Sequence, residues 1–566
     1  MKILLVVSPN FSIKILEEEI DKIKKGYCDF TKSVDWRPAA PLGILYLAGA
    51  LREAGHKVQI YDLHREFYKC RGENYFKKND LSNFFKDYFD TVLKSNEIDI
   101  LGISGLFNVS SSTVEKMCIR CKQIYPYTKI ILGGSYPTIM YRDILKAGIC
   151  DYIILGEAEK ELVWLLNVIK AHTVDQKVAN NPHIVDLICL DKPNKKAAII
   201  EDLDSLPMPA WDLLPQVDDY TGNSIDAERV GSLTNKKSAR SASIFTTRGC
   251  PMSCTFCAAH GTHGKRIRAH SIGYIINHID WLVDKYDINN LLIQDDMFNF
   301  STNRTIQFCK TLFEKYRDRF NLEFPNGLAI WKLDEESIVN LKMAGMKSCT
   351  IAIESGNKYI QKHILKKNLD LNLVKEKIGL LKKHGISVRA FYIVGFIGET
   401  IEMMRDTVQF AVDLNIDWSE VKIFTPLVGS EMYDLANEKG YLAGDMSDHV
   451  YGRSSVMTPD FNPEQVKDIQ YDANIRINFI NNKFLKEKKY EEAELTFRGL
   501  LRNFPNHLFA QWGLWQALKG QRKAREAKGA IKKLCKLADE SEDSRVLLEK
   551  YHISLSPTSG ETLLHK

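Results

Sequence analysis

Short runs of Val, Ile and Leu, each followed by a helical pattern, recur along most of the chain. This alternation constrains the fold more than any other feature. Within residues 1–172 the runs are "KILLVV", "KVQIYD", "IDILGIS", "KIILGG" and "DYIIL", and patterns such as "GILYLAGALREAG" and "STVEKMCIRCKQIY" follow them. Apolar strands without polar alternation are what a parallel sheet covered on both faces requires. Five such units predict an α/β domain of the doubly wound, flavodoxin-like (Rossmann-type) kind, with its ligand edge at the carboxyl ends of the strands.

A second series runs over residues 241–430: "ASIFTTR", "NLLIQDD", "LEFPNGLA", "SCTIAIE", "SVRAFYIV" and "EVKIFT". Six βα units fall short of a closed eight-fold barrel, so the expectation is an open, partial (β/α)6 TIM-like barrel with its chemistry again at the strand ends. Residues 173–240 hold "NNPH", "DKPNKK", "LPMPAWDLLP" and "TNKKSARS" and read as a linker, with Trp211 expected in ordinary core packing. Residues 431–566 are helical. Within them, 483–538 carries Ala and aromatic residues at tetratricopeptide-like (TPR-like) spacing, with Pro505 between helices. This is too little repeat to stand alone, so it is expected to dock on the barrel or on a protein partner.

A chain of 566 residues exceeds one hydrophobic core. Net charge is 77 − 72 = +5, small for this length, which argues against a nucleic-acid partner. Basic clusters such as "KKNDLSNFFKD" alternate with acids and read as solvated faces. No apolar run reaches the roughly 18 residues that a membrane span needs, and "MKILLVVSPN" reads as a buried strand rather than a signal peptide. Twelve cysteines without a regular framework point to a reducing, cytoplasmic setting.

The stretch "TTRGCPMSCTFCAAHGTHGK" places Cys250, Cys254 and Cys257 just after the first strand of the second series. A structural zinc site takes four ligands, usually in two separated pairs. Here the downstream pair is missing, Cys309 and Cys349 are isolated, and only His260 and His263 stand close in sequence. Clustered thiols without a metal are a liability. A four-iron cluster normally takes four thiolates, so three leave one iron open to a ligand that is not protein.

This loop, at a strand end, resembles that of the radical S-adenosylmethionine (SAM) family. The resemblance implies that Cys250, Cys254 and Cys257 hold a [4Fe-4S] cluster, that the open iron binds the amino and carboxylate groups of SAM, and that Phe256 packs near the adenine. It implies further SAM contacts at Asp295 and Asp296 of "IQDDMF", Glu354 and Ser355 of "CTIAIESG", and Gly395, Gly398 and Glu399 of "VRAFYIVGFIGET". Glycines there let the backbone approach a ligand closely. Two alternatives stay open: the aspartates suit helix N-caps as well, and Arg389 suits either a bidentate carboxylate clamp or an ion pair at the core edge. "KIFTPLVGSEMY" fits the family's last strand, so the resemblance covers most of residues 241–435, and "TPDFNPEQVKDIQYDANIRINF" resembles the helix that often follows the barrel.

The domain before the barrel resembles that of the cobalamin-binding radical SAM enzymes. "GGSYPT" is the most telling piece, and the implied corrin edge comprises Ser8, Pro41, Leu42, Gly43, Ser104, Gly133, Gly134, Tyr136, Pro137, Thr138, Gly156 and Glu157. "DLHREF" departs from the cobalt-ligating Asp-x-His-x-x-Gly string, because Phe67 stands at the glycine position and the string follows the second strand. Cobalt is therefore expected to take no histidine from this domain. Cys118 and Cys121 fall inside a helix, where core packing is expected over a redox pair.

The resemblance implies an external flavodoxin- or ferredoxin-like electron donor, reductive cleavage of SAM to a 5′-deoxyadenosyl radical, and methylation of an unactivated carbon from methylcobalamin, remethylated by a second SAM. Cyclisation or another rearrangement without methyl transfer uses the same cofactors, and the anaerobic porphyrin cyclases resemble this architecture too. A corrinoid or cluster-bearing sensor is the reading of another class. The substrate, a small molecule or a lipid, is not legible in the residues.

Overall fold

The computed structural model describes residues 1–24, 38–172, 174–190, 192, 195–221, 239–444, 455–540, 542–553 and 555. The first sheet runs in the order β2-β1-β3-β4-β5-β6, from β1 (Lys2–Val7), β2 (Lys57–Asp62), β3 (Ile100–Ser104), β4 (Lys129–Gly133), β5 (Tyr152–Ile154) and β6 (Ile184–Val185). The first five are parallel, with Ile3 level with Val58 and Ile100, and Ile103 level with Leu132. This is the doubly wound, flavodoxin-like order expected, and the reversal on either side of β1 opens a crevice at the carboxyl ends.

The stretch expected as a linker does more than connect. Its β6 adds an antiparallel edge strand, Ile153 pairing with Val185. It then straps over the first domain: Ala210 donates its N–H to the Leu45 carbonyl (3.0 Å), and the Tyr220 hydroxyl bonds Asp62 (2.9 Å). Trp211 is fully buried in this strap, in the packing role expected of it. The end of the expected linker, 222–238, lies outside the described residues.

The second block opens with β7 (Ser241–Ile244), followed by a short antiparallel pair, β8 (Thr247–Arg248) with β9 (Arg268–Ala269). Then come β10 (Asn290–Ile293), β11 (Asn321–Glu323), β12 (Ser348–Glu354), β13 (Ser387–Val394) and β14 (Trp418–Ile423). Two parallel sheets, β7-β10-β11 and β12-β13-β14, are joined by a bridge between Leu322 and Met346. The result is six parallel strands in sequence order, an open partial barrel. Two strands are shorter than the sequence suggests. "ASIFTTR" leaves the sheet after Ile244 because the Asp295 side chain takes the Thr246 N–H. "LEFPNGLA" stops at Glu323, two residues before Pro325, which has no N–H for a ladder.

An open barrel leaves an edge on β14, and unpaired strand edges are a liability. The helix Pro463–Ile475 and its continuation Arg476–Ile480 cover it with side-chain amides. Asn478 accepts from the Ser419 N–H (2.9 Å) and donates to the Ser419 carbonyl (2.7 Å). Asn474 does the same at Val421, where Gln470 also donates. Beyond this cover, the helices Tyr490–Asn503, Leu508–Gly520 and Ala524–Asp539 form their own core, with Gly513 against the Phe497 ring. Lys483 bonds Asp417 (3.0 Å), so the tail docks on the barrel, the first of the two expected sites. Among the described residues, no helix is long and apolar enough to cross a membrane.

Candidate functional site

The cysteine loop is a closed excursion between β8 and β9. Its feet pair Thr247 with Ala269 and Arg248 with Arg268. Gly249 sits at φ 93°, where a side chain would run into the Arg266 carbonyl. At its crown, Thr255 is bonded on three sides. Its N–H reaches the Leu365 carbonyl (3.2 Å), its hydroxyl the Ile364 carbonyl (2.7 Å), and its own carbonyl accepts from Met432 (2.9 Å). The three thiols are free and half-buried around this crown. Burial raises the pKa of each, Cys254 to about 11, so they are neutral until a metal displaces their protons. Among the described residues, no three His, Cys, Asp or Glu side chains converge at the spacing of one metal ion.

The other strand ends face this loop. The two aspartates after β10 diverge. Asp295 is buried and accepts from the Thr246 N–H (2.7 Å) and hydroxyl (2.5 Å), with burial raising its pKa. Asp296 is exposed, and its charge acts on Cys250 and Cys257. The implied SAM contact at Asp295 is thus corrected to a structural bond that ends β7, and Asp296 is the one that faces the site. Glu354 ends β12 beside a register shift in its pairing with β13, in the left-handed region at φ 69°, with Lys367 Nζ 3.0 Å from its carboxylate. Ser355 turns inward to Thr407 (3.0 Å) and caps the Asn357 N–H, so it shapes the turn.

Arg389 lies on Glu420 of the neighbouring strand (2.9 Å), the ion-pair alternative in place of the clamp. Gly395 and Gly398 both take positive φ, near 89° and 88°. A Cβ on Gly395 would meet Val466 of the edge-covering helix at 2.8 Å, and one on Gly398 would meet Ile364 at 3.0 Å. Neighbouring side chains thus stand where a Cβ would at both glycines, which by itself requires glycine there. Glu399 accepts from the Gly395 (2.8 Å) and Phe396 (3.1 Å) amides, so it is a clamp on that loop. Its Oε1 is buried without a partner among the described residues, and burial lifts the carboxyl to about 8 against the pull of those amides. Phe256 meets Phe396 at 5.7 Å, placing the loop's aromatic beside the same turn.

The residues expected to face a corrin lie at the carboxyl ends of the first sheet. Ser8 donates to the Ser104 carbonyl (3.0 Å). Pro41 precedes the helix Leu42–Glu53, with Leu42 buried. At Gly43 and Gly133 nothing lies within 4 Å of where a Cβ would stand, so this edge leaves room for a ligand. Gly134 (φ 98°) packs on the Gly105 carbonyl, which also takes the Tyr136 N–H (3.2 Å). Pro137 and Thr138 are buried in the next turn, and Thr138 Oγ1 accepts from the Gly156 N–H (3.0 Å). Gly156 (φ 79°) presses on Ala198. Cys118 and Cys121 are buried on one face of the helix Ser111–Ile124, and burial raises both thiols.

Glu157 is a second correction. Instead of facing a corrin, it is buried and takes both guanidinium nitrogens of Arg268 (2.6 and 2.7 Å), His263 Nδ1 (3.1 Å) and the Ile200 N–H (2.7 Å). Burial pushes its pKa up, but His263, Arg268 and Arg248 outweigh that and hold it at about 2. Arg248 bonds Glu159 (2.7 Å), so two arginines flanking the cysteine loop meet two glutamates of the first domain. Sequence reasoning missed Arg248, Arg268 and Lys367; Arg248 alone had a local signal, two residues before Cys250. The two blocks also touch directly: Thr262, on the helix His260–His263, donates to Ser135 Oγ (3.0 Å) of the "GGSYPT" turn, and Gly429 closes on Ile139.

The B12 binding domain family matches residues 38–166, and the Radical SAM superfamily matches residues 244–411. Cytidylyl-2-hydroxyethylphosphonate methyltransferase from Streptomyces wedmorensis is 25% identical over 437 residues, covering 71% of this chain and 78% of that protein. Anaerobic magnesium-protoporphyrin IX monomethyl ester cyclase from Rubrivivax gelatinosus is 26% identical over 415 residues, 72% of this chain and 67% of that protein. The cobalamin-dependent S-adenosylmethionine radical enzyme OxsB, solved with aqua-cobalamin bound, shares the fold with a TM-score of 0.60 at 14% identity, covering 95% of this chain and 83% of that one.

Proposed function

The chain belongs to the radical SAM enzymes that carry a B12-binding domain, and from that premise we propose that it methylates an unactivated carbon of a small-molecule substrate. Its cofactors, a [4Fe-4S] cluster, SAM and cobalamin, supply homolytic cleavage of SAM to a 5′-deoxyadenosyl radical and a transferable methyl group. Cys250, Cys254 and Cys257 hold the cluster. Asp296, Glu354 and Phe256 line the SAM side, and the open edge at Gly43 and Gly133 takes the corrin. The residues' own task is to bind, orient and keep water out. The bond between Thr262 and Ser135 supports joint use of the two cofactors, because it sets the "GGSYPT" turn beside the cysteine loop; the similarity to a methyltransferase carries the choice of methyl transfer.

Similarity to a methyltransferase over 71% of the chain supports methyl transfer, and a hopanoid C-3 methylase is similar over 75% of it, so a lipid substrate stays beside a small polar one. A second reading, cyclisation or rearrangement without methyl transfer, is favoured by the 26% identity to the anaerobic cyclase. Either reaction needs an external low-potential electron donor. We place the enzyme in a reducing, cytoplasmic setting, since every cysteine among the described residues is free. The tail serves the barrel edge, and a protein partner on its outer helices is a further role.

The test is anaerobic reconstitution with iron, sulfide and cobalamin, followed by SAM and a low-potential reductant. S-adenosylhomocysteine and 5′-deoxyadenosine are then quantified by mass spectrometry. Both products together are expected. 5′-Deoxyadenosine alone, with cobalamin bound, moves the assignment to the cyclase reading; neither product from an intact cluster overturns both and brings a sensor forward.

A further inference from the structure

Lysine is strongly hydrated and is rarely buried without a specific partner. The side chain of Lys367 is 8% exposed, and its ammonium donates to the Ala352 carbonyl (2.6 Å) and to Glu354 Oε1 (3.0 Å). The turn that delivers it is held in an unusual conformation. Lys366 and Asn368, on either side, both take left-handed backbone (φ 53° and 52°), as does Glu354 (φ 69°). None is glycine, and such conformations cost of order 1–3 kcal/mol each unless their surroundings impose them. The surroundings do so here. Gln361 ties the turn to the Ile353 (2.6 Å) and Ser355 (2.7 Å) carbonyls, and Asn368 donates back to the Gln361 carbonyl (3.2 Å).

The same turn carries the crown of the cysteine loop. Thr255, between Cys254 and Cys257, bonds the Ile364 and Leu365 carbonyls, two to three residues before Lys367. Strain at three positions thus sets one buried cation against the end of β12, on the segment that holds the crown of the cysteine loop. Its charge acts on Cys250 and Cys254.

We propose that Lys367 is a positioning residue that tunes the cluster electrostatically: the buried ammonium offsets the cluster's negative charge, stabilises its reduced form, and fixes the Glu354 carboxylate beside it. The proposal rests on Cys250, Cys254 and Cys257 holding a four-iron cluster. A cluster with three thiolates is net negative, and the incoming electron adds to that charge. A fixed cation nearby in a partly buried site therefore favours reduction, whereas a neutral residue leaves Glu354 uncompensated and opposes it.

The experiment is a potentiometric titration of the reconstituted full-length protein, followed by the electron paramagnetic resonance signal of the reduced cluster, without SAM. K367M with full iron and sulfide is expected to show about a tenfold lower equilibrium constant for reduction, about 59 mV for a one-electron couple. K367R is expected to return towards the wild-type value, and E354Q to shift the opposite way. A purely structural lysine would alter cluster loading without moving the potential of loaded protein. A wild-type midpoint in loaded K367M overturns the proposal. If K367M does not load, an unchanged midpoint in E354Q overturns it. Failure of the wild-type protein to take up iron and sulfide sinks the cluster assignment itself and is read separately.

Discussion

Arg268 and Glu157 form a buried two-pronged ion pair, with bonds of 2.6 and 2.7 Å, that joins the base of the cysteine loop to the turn after β5. A buried pair gains little over a well-packed apolar pair, but removing one partner strands the other charge at a cost of about 3–5 kcal/mol. The pair is expected to specify one docking of the first domain on the barrel. R268A is expected to lose stability at the low end of that range in chemical unfolding, since His263, the Ile200 N–H and Arg248 still face Glu157, and E157Q/R268M to recover part of it. Both should weaken the coupling of cob(II)alamin to the reduced cluster in electron paramagnetic resonance. Wild-type stability in R268A would contradict the role.

Glu399 carries a pH dependence of the opposite sign to Glu157. Its folded pKa is lifted from 4.5 to about 8, so between those values the folded state holds a proton that the unfolded state has released. Stability therefore falls as pH rises through that window. E399Q keeps an acceptor for the Gly395 and Phe396 amides and cannot titrate. Its melting temperature is expected to be flatter than the wild type's between about pH 5 and 8. Parallel curves for the two proteins would refute the assignment.

These predictions differ in how far they could be read from the residues. The cysteine loop was legible because its three ligands lie within eight consecutive residues and follow a strand. The strand series was legible because parallel strands covered on both faces need unbroken apolar runs. Glu157 with Arg268 was not, since the partners stand 111 residues apart and only the docking of two blocks brings them together. For the same reason the adjacent Asp295 and Asp296 looked equivalent. One is taken by Thr246 across the sheet, and no local pattern announces that. Lys367 gave no local signal, because only the turn with left-handed Lys366 and Asn368 buries it. The strand in the expected linker was missed because two residues, Ile184 and Val185, are too short a run to show a period.

Asn478 shows what closes an open barrel. Its amide satisfies both the N–H and the carbonyl of Ser419 on the open edge of β14, which the helix buries. N478A leaves two buried backbone groups unsatisfied, at about 1–3 kcal/mol each. The expected result is a lower unfolding midpoint and faster hydrogen exchange along β14, with the first sheet unaffected. Unchanged exchange at Ser419 would show that the amide ladder does not hold that edge.

Gly133 and Gly134 are adjacent in the turn proposed to meet the corrin but are glycine for different reasons, which makes them a discriminating pair. At Gly134 the backbone is left-handed (φ 98°), and a Cβ would stand 2.6 Å from the Gly105 carbonyl. Any side chain there is strained whether or not cobalamin is present. At Gly133 nothing lies within 4 Å of the Cβ position, so the empty fold tolerates a side chain that would occupy the cradle. G134V is expected to lower the melting temperature of protein without cobalamin. G133V is expected to melt like the wild type and to lose at least tenfold in cobalamin affinity, about 1.4 kcal/mol, measured by absorbance after anaerobic loading. If G133V bound cobalamin as tightly as the wild type, the corrin would have to lie away from the end of β4, and the assignment of that edge would fall.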